Sequence, residues 1–182
     1  LDEYTNVLRT FKENGVEVPL ALCNIFSQAG FYNSNFVSSG FGVTWNDFQL
    51  VDGKVTYSMT MPSYKDLLTF MNGWASEGLI DRDSVNRTID DCLTVFQNGK
   101  SGMTVYHNSA TTTALKVGKT MDPDFEVKGL LFPRKNADDV LTLARIVYSL
   151  NSWSWQISAT CKNPELAVKF VDYLHDDDTR LL

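Results

Sequence analysis

Apolar side chains along this chain of 182 residues recur in two ways, with a helical period over long stretches and as short continuous or alternating runs. In the first stretch, Tyr4, Val7, Leu8 and Phe11 share one helix face, and Gly15 ends the helix. The same spacing predicts helices over residues 2–13, from Pro62 to residue 75, and over 86–98, 109–117 and 164–174. Helices are therefore expected along the whole chain.

The shorter apolar runs predict strands between these helices. The clearest signal is Asp52-Gly53, because this dipeptide between two alternating runs favours a tight hairpin turn. Extended segments are predicted over residues 18–22, 48–57 (the hairpin), 103–106, 127–132, 140–147 and 155–159. Strands that alternate with helices indicate an α/β fold in which helices cover a sheet.

The last predicted helix has a well-defined start, and four other phrases precede it in order. Asn163 can cap this helix, Pro164 needs no N–H in its first turn, and Glu165 complements the helix dipole. The preceding phrases are residues 1–12 with the apolar run 18–21, the hairpin 52–57, the helix from Tyr64-Lys65 to Glu77-Gly78-Leu79-Ile80-Asp81, and Phe96-Gln97-Asn98-Gly99-Lys100-Ser101-Gly102-Met103.

This order of phrases resembles the extracellular solute-binding proteins of bacterial ABC importers, in the group that includes maltose-binding and other carbohydrate-binding proteins. The resemblance implies one lobe of a type II periplasmic-binding-protein-like fold, with helices packed around a central mixed sheet. Residues 1–182 are expected to form a single α/β lobe, the second of two, because a two-lobed receptor would be roughly twice as long at ~100–200 residues per domain.

The resemblance also implies a function. The lobe would bind a sugar or oligosaccharide together with the missing first lobe of the same protein, and would deliver it to ABC permease subunits. The full-length protein would be extracellular or periplasmic and anchored to the membrane as a lipoprotein. No cofactor is implied. A receptor for a peptide or a polyamine remains an alternative, as does a purely structural or protein-interaction domain.

A glycan-processing enzyme domain is the remaining alternative, and the sequence offers little for it. Asp90 and Asp91 are adjacent on a predicted helix and point in different directions, whereas a glycosidase needs two carboxyl groups facing one bond. The chain contains no Gly-x-Ser-x-Gly, no His-Glu-x-x-His and no phosphate-binding loop motif. We therefore expect a binding protein and no enzyme.

Charge and cysteine content exclude further classes. The formal net charge of −6 argues against a nucleic-acid partner, which would require a basic surface. No apolar run approaches the ~20 residues that span a bilayer. Cys23, Cys92 and Cys161 are far apart and include no Cys-x-x-Cys, so neither a disulfide framework nor a metal site is expected, and all three are interpreted as buried free thiols.

Three loop segments combine aromatic rings with amide or hydroxyl groups, as a sugar site requires. Sugar C–H faces stack on aromatic rings, while sugar hydroxyls need both donors and acceptors. The candidate ligand-binding residues are Tyr32, Asn33, Trp45 and Asn46 in the first segment, Tyr106, His107, Asn108 and Ser109 in the second, and Trp153 in the third. Ligands of open α/β sheets bind beyond the carboxyl ends of strands, where such loops converge.

The four tryptophans are assigned different roles. Trp74 lies on an apolar helix stripe and is expected in the core, and Trp155 begins an alternating run that also favours the core. Trp45 lies in a loop without a period and is the best stacking candidate, whereas for Trp153 core and ligand roles stay open. Tyr106 stands at the corner where sugar-binding relatives often carry a stacking aromatic, and the absence of a tryptophan there argues against a maltodextrin-like ligand.

Overall fold

A computed structural model describes residues 1–23, 35–45, 48–106, 109–136, 138–142 and 155–175. Its elements are α1 (Asp2–Glu13), β1 (Val18–Ala21), β2 (Phe48–Val51), β3 (Lys54–Tyr57), α2 (Pro62–Ser76), α3 (Ile89–Gln97), β4 (Ser101–Thr104), α4 (Ser109–Met121) and α5 (Pro164–His175). Short 3-10 turns occupy Ser39–Phe41 and Ser58–Thr60. All five predicted helices are therefore confirmed, together with the first strand and the hairpin. None of the helices in these ranges is long and apolar enough to cross a membrane.

Strands β1 and β4 form a parallel pair that carries apolar side chains on both faces. Val18 pairs with Ser101 and Leu20 with Met103, and a single parallel bridge joins Leu20 to Ile80. Helices α1 and α3 both pack against the two strands. This arrangement places a parallel strand pair between helices, as the alternating pattern predicts.

The residues of β1 and those that follow it enter two different clusters of buried side chains. Leu20 and Leu22 belong to the larger cluster, whose other buried members are Leu8, Phe36, Val37, Val43, Trp45, Tyr64, Leu67, Met71, Trp74, Leu79, Ile80 and Met103. Ala21 and Cys23 belong to the thiol cluster, which they form with Val18 and Cys92. The alternation from Leu20 to Cys23 arises because successive strand residues point to opposite faces of a sheet, whereas Val18 joins the thiol cluster although it has the parity of Leu20.

Helix α2 contributes much of the larger cluster. Pro62 lies in its first turn, and Leu67, Met71 and Trp74 follow at helical spacing into the core. The Trp74 indole N–H donates to Thr5 Oγ1 of α1 over 2.9 Å, so the ring is both packed and hydrogen-bonded. The predicted core position of Trp74 is confirmed, whereas Ala75 on the same helix is exposed.

The hairpin forms as predicted, with an unexpected orientation. Asp52 and Gly53 both have positive φ, 49° and 75°, which is the geometry of a type I′ turn. Phe48 pairs with Tyr57 and Leu50 with Val55, so these side chains share one face. Phe48, Leu50 and Val55 on that face are exposed. On the opposite face, the Gln49 side chain forms hydrogen bonds with the backbone of Gly42 and Thr44.

Helix α3 begins three residues later than the apolar pattern predicts, because a capping box starts it. Thr88 Oγ1 accepts from the Asp91 N–H over 3.2 Å, and the Thr88 N–H donates to Asp91 Oδ2 over 2.8 Å. Gly99, with a φ of 69°, ends the segment. Pairing with β1 then begins at once, so β4 starts at Ser101 and ends at Thr104, two residues before the predicted strand at each end.

Three other predicted extended segments are not strands where the structure describes them. Residues 127–132, 140–142 and 155–159 are irregular, and residues 143–147 lie outside the described ranges. Leu130 and Leu131 are exposed, so no neighbouring strand covers this apolar run. Among the described residues the strands form two separate pairs, one parallel and one antiparallel, and not one central mixed sheet.

The chain divides into two compact units, Leu1–Ala144 and Arg145–Leu182. The described part of the second unit contains α5, which starts at Pro164 as predicted, and a turn in which the Cys161 N–H donates to Ser158 O. Trp155 is 63% exposed, so the prediction of a core position for it is wrong. The expectation of a single lobe over residues 1–182 stays a prediction.

Candidate functional site

The carboxyl ends of β1 and β4 lie side by side and bring together residues from three parts of the chain. Because the two strands are parallel, Cys23 follows β1 and Tyr106 follows β4 at the same edge. Thr104 Oγ1 donates to Ala21 O over 3.1 Å and fastens the strand ends together. Asp90 reaches this edge from the first turn of α3. We call Asp90 and Tyr106, with these strand ends, the carboxyl edge.

Tyr106 is held at this edge by a carboxylate. Its hydroxyl donates to Asp90 Oδ1 over 3.1 Å, and the ring is partly buried. Burial raises the pKa of Tyr106, and the hydrogen bond to Asp90, the charge of Asp90 and a smaller effect of Cys23 raise it further. The phenol is therefore neutral at physiological pH and donates its proton to Asp90.

The thiols of Cys23 and Cys92, next to this edge, are buried and are expected to be unreactive. Cys23 and Cys92 are fully buried, and burial, with a smaller effect of neighbouring Cys23, raises the pKa of the Cys92 thiol to about 12. Cys161, in the second unit, is only partly buried, so the expectation of three buried thiols is wrong for this residue. In the described part of the chain, no three His, Cys, Asp or Glu side chains are grouped to hold a metal ion.

The described part of the first loop segment, residues 35–45, is tied down by a glutamine of the hairpin. The Gln49 side chain accepts from the Thr44 N–H over 2.9 Å and donates to Gly42 O over 3.0 Å. A Cβ added to Gly40 would lie 2.8 Å from Pro133 O, so the loop also packs closely on the segment that contains Pro133. These contacts hold the loop against the hairpin, and the Gln49 side chain takes the place of a backbone hydrogen-bond partner.

Trp45 lies in the core and not on the loop surface. It is 6% exposed, and its ring centroid lies 5.8 Å from that of Tyr64, at an interplanar angle of 41°. A ring with this burial has no free face for a ligand, so its position favours packing over the expected stacking platform. The aperiodic sequence around Trp45 concealed this position, because a core contact made from a loop leaves no periodic signal.

The structure describes two further candidates in part. Tyr106 is at the carboxyl edge, and Ser109 is the first residue of α4, which starts just beyond that edge. Tyr32, Asn33, Asn46, His107, Asn108 and Trp153 lie outside the described residues. The carboxyl edge therefore brings Tyr106 of the second candidate segment together with Asp90, and the ligand contacts of all nine residues stay predictions.

Two residues of the candidate region were missed by sequence reasoning. Asp90 had been weighed only as a catalytic acid, yet it contacts Tyr106, whereas its neighbour Asp91 caps α3. The Thr88-x-x-Asp91 spacing was the available signal, because it assigns Asp91 to the cap and leaves Asp90 to face elsewhere. Gln49 had no such signal, since its partners are backbone atoms of another segment.

Two clefts elsewhere in the first unit do not coincide with this edge. The larger, of about 380 Å³, lies between α1 and α2, where Arg9 and Glu77 form an ion pair with two N–O distances of 2.7 Å. The smaller, of about 270 Å³, lies beside Gly40–Gly42, where Lys135 Nζ stands 5.5 Å from the Phe41 ring centroid. Both are surface grooves, and the charged groups named here already have partners.

Comparisons with known proteins define the class of this fold. The family model of the bacterial extracellular solute-binding proteins matches residues 1–180. The structure is similar to that of a sugar transporter from Bacillus licheniformis in complex with stachyose, with 16% sequence identity and a TM-score of 0.54. The likeness covers 98% of this chain but 45% of that one, so the chain spans less than half of its structural relative. No curated protein matches the chain.

The fold is therefore that of a solute-binding protein, in agreement with the α/β architecture expected from the sequence. The chain belongs to the bacterial extracellular solute-binding protein family. This family consists of binding proteins and not of enzymes, which agrees with the absence of a catalytic motif. The resemblance noted in the sequence is thus confirmed over nearly the whole chain.

Proposed function

We propose that the full-length protein binds a sugar or an oligosaccharide outside the cell and delivers it to the permease of an ABC importer. Residues 1–182 would supply the second of two lobes, and a lipid anchor would hold the protein at the membrane. The observation that carries this proposal is the Tyr106–Asp90 pair at the carboxyl edge, in a chain of the solute-binding family. Open α/β sheets bind ligands at such edges.

The chemistry of this edge fits a polyhydroxylated ligand. The Tyr106 ring can stack on a sugar C–H face, and its oxygen can accept a hydrogen bond from a sugar hydroxyl. The candidates Asn108 and Ser109 would add donors from the start of α4. Further support comes from the structural relative, which was solved with stachyose.

A polyamine receptor is the second candidate, and one observation favours it. Asp90 adds an exposed carboxylate beside an aromatic ring, and a cationic amine binds to that combination. Spermidine therefore belongs in any ligand screen of this protein.

A thermal-shift screen of the full-length protein tests the proposed function. The panel contains stachyose, raffinose, maltotriose, spermidine and a tripeptide, and each hit is followed by calorimetry and by chromatography of the recovered ligand. We expect a saturable shift with an oligosaccharide that is recovered unchanged. A shift with spermidine alone would overturn the sugar proposal, and a cleaved glycan would indicate an enzyme.

The two-lobe proposal has a test of its own. Residues 1–182 alone should bind the same glycan at least about tenfold more weakly than the full-length protein, because half of the contacts and the exclusion of water would be missing. Circular dichroism verifies that the isolated segment is folded. Equal calorimetric affinities of the two proteins would contradict the role of a second lobe.

A further inference from the structure

Two adjacent carboxylates at the start of α3 have different partners, and the difference assigns a role to one of them. Asp91 accepts from the Thr88 N–H over 2.8 Å and completes the capping box. Asp90 is one residue earlier and faces a different direction, since successive residues on a helix are about 100° apart. Its Oδ1 accepts the Tyr106 hydroxyl over 3.1 Å, across a sequence separation of 16 residues.

The contact with Asp90 is one that can fix the Tyr106 ring. Tyr106 lies two residues beyond the end of β4 and before the start of α4, outside both elements. Its ring is partly buried, and its hydroxyl donates to Asp90. A hydrogen bond to a charged acceptor is stronger than a neutral one and holds that orientation better.

Asp90 itself is fixed by the helix. It lies in the first turn of α3, where the dipole favours an acid, and its backbone carbonyl accepts the Thr94 hydroxyl over 2.8 Å. The support thus runs from the first turn of α3 to the Asp90 carboxylate, and from there to the Tyr106 ring.

We propose that Asp90 is a positioning residue of the ligand-binding edge, which orients the Tyr106 ring toward the bound solute from the first turn of α3. This inference rests on the proposed function, because it assigns a role within the same edge. It predicts that Asp90 acts on the ligand through Tyr106 and not by itself. The two side chains should therefore behave as one unit in binding.

A double-mutant cycle in the full-length protein tests this unit, with stachyose or the panel oligosaccharide of largest shift as the probe. Asp90→Ala and Tyr106→Phe should each raise the dissociation constant roughly threefold to tenfold, the range that corresponds to the loss of one typical hydrogen bond. The double variant should bind no more weakly than the weaker single variant. Asp90→Asn, which keeps an acceptor oxygen, should restore part of the affinity.

Asp91→Ala is the matched control, because it removes the same charge from the same helix turn but contacts Thr88 and not Tyr106. It should lower the thermal midpoint and leave the affinity unchanged at temperatures where the protein is folded. An affinity loss equal to that of Asp90→Ala would overturn the proposal. So would additive losses in the double variant, since these would mean that Asp90 acts on the ligand directly.

A spectroscopic readout separates this inference from the proposed function. The Tyr106 signal in a spectrum of protein labelled with carbon-13 at the tyrosine ring is assigned by its loss in Tyr106→Phe, and is then titrated with pH. The titratable groups that bear on it are Asp90 of α3 and Cys23 after β1. Asp90→Ala should lower the pKa of Tyr106, and an unchanged titration would overturn the contact. If no probe binds the wild-type protein, the proposed function fails, and this titration still decides whether Asp90 holds Tyr106.

Discussion

The two faces of strand β1 pack in different ways. Among the described residues, the larger cluster has fourteen buried members and includes the rings of Trp45, Tyr64 and Trp74. The thiol cluster on the other face has four, all of them small. Apolar area buried determines most of the stabilisation, so the first face holds the fold together. The second face is thin and lies under the carboxyl edge, where Tyr106 and Asp90 remain partly or fully accessible.

This contrast indicates that stability and ligand binding can be separated by mutation. Side chains of the larger cluster should affect unfolding and not affinity. Side chains of the carboxyl edge should affect affinity more than unfolding. The predictions below test that separation, beginning with the largest expected effect.

The thiol cluster should be unreactive in the native protein. At pH 8, a thiol with a pKa of about 12, such as that of Cys92, carries almost no thiolate, and both Cys92 and Cys23 are fully buried. We therefore expect a bulky maleimide to label the partly buried Cys161 many times faster than either of them. Mass spectrometry of digested protein, sampled over time, measures the three rates.

Unfolding in denaturant supplies the control for the labelling experiment. All three thiols should then react at similar rates, because burial is lost. Rapid labelling of Cys23 or Cys92 in the native protein would show that the thiol cluster opens readily. That result would contradict the interpretation of these thiols as buried and unreactive.

Trp74→Ala should be the most destabilising single change in the larger cluster. The side chain is 2% exposed, and its removal leaves a cavity between α1 and α2, so we expect a loss of ~3–5 kcal/mol in the free energy of unfolding. Denaturant titration measures the loss. Trp155→Ala is the matched control, because Trp155 is 63% exposed and should cost less than ~1 kcal/mol. Similar losses for the two variants would contradict the assignment of Trp74 to the core.

Trp45→Ala decides between packing and stacking at the rim of the larger cluster. Its contact with Tyr64 and its 6% exposure predict a loss of about 3 kcal/mol, the lower end of the range for a buried aromatic, because it lies in a loop. Ligand affinity of the folded variant should change less than about twofold. A tenfold loss of affinity with unchanged stability would instead restore the stacking role that the sequence suggested.

Sequence reasoning was most successful where local chemistry decides the structure. The turn at Asp52-Gly53 and the start of α5 at Pro164 follow from backbone preferences of the residues themselves. The core position of Trp74 follows from helical spacing. In each case the signal lies within a few residues, so no knowledge of distant partners is needed.

Prediction failed where a distant partner decides the structure. Residues 127–132 have the composition of a strand, but no neighbouring strand pairs with them in the described structure. Trp45 enters the core from a loop, and Asp90 meets Tyr106 across the end of the sheet. These contacts depend on the packing of segments that are far apart in sequence, and a periodic pattern carries no information about it.

Loss of the capping box of α3 should give one of the smallest losses of stability. This change tests whether α3, which carries Cys92 of the thiol cluster, depends on its cap. Thr88→Ala removes the side chain that accepts the Asp91 N–H, and should cost ~1 kcal/mol in the free energy of unfolding. Thr94→Ala is the matched control, because Thr94 lies on the same helix outside the cap and alanine suits a helix interior. A loss in the control as large as that in Thr88→Ala would show that the cap itself contributes nothing.

The same cap predicts a dependence on pH. The backbone hydrogen bond from Thr88, followed by its hydroxyl, lowers the pKa of Asp91 below its ordinary value of 3.8. A carboxyl group with a lower pKa in the folded state contributes stability that is present above the ordinary pKa and is lost as the pH falls through the folded value. The difference in unfolding free energy between wild type and Asp91→Asn should therefore be constant near neutral pH and shrink below about pH 4. A difference that persists undiminished at pH 2 would show that the ionised carboxylate is not what caps α3.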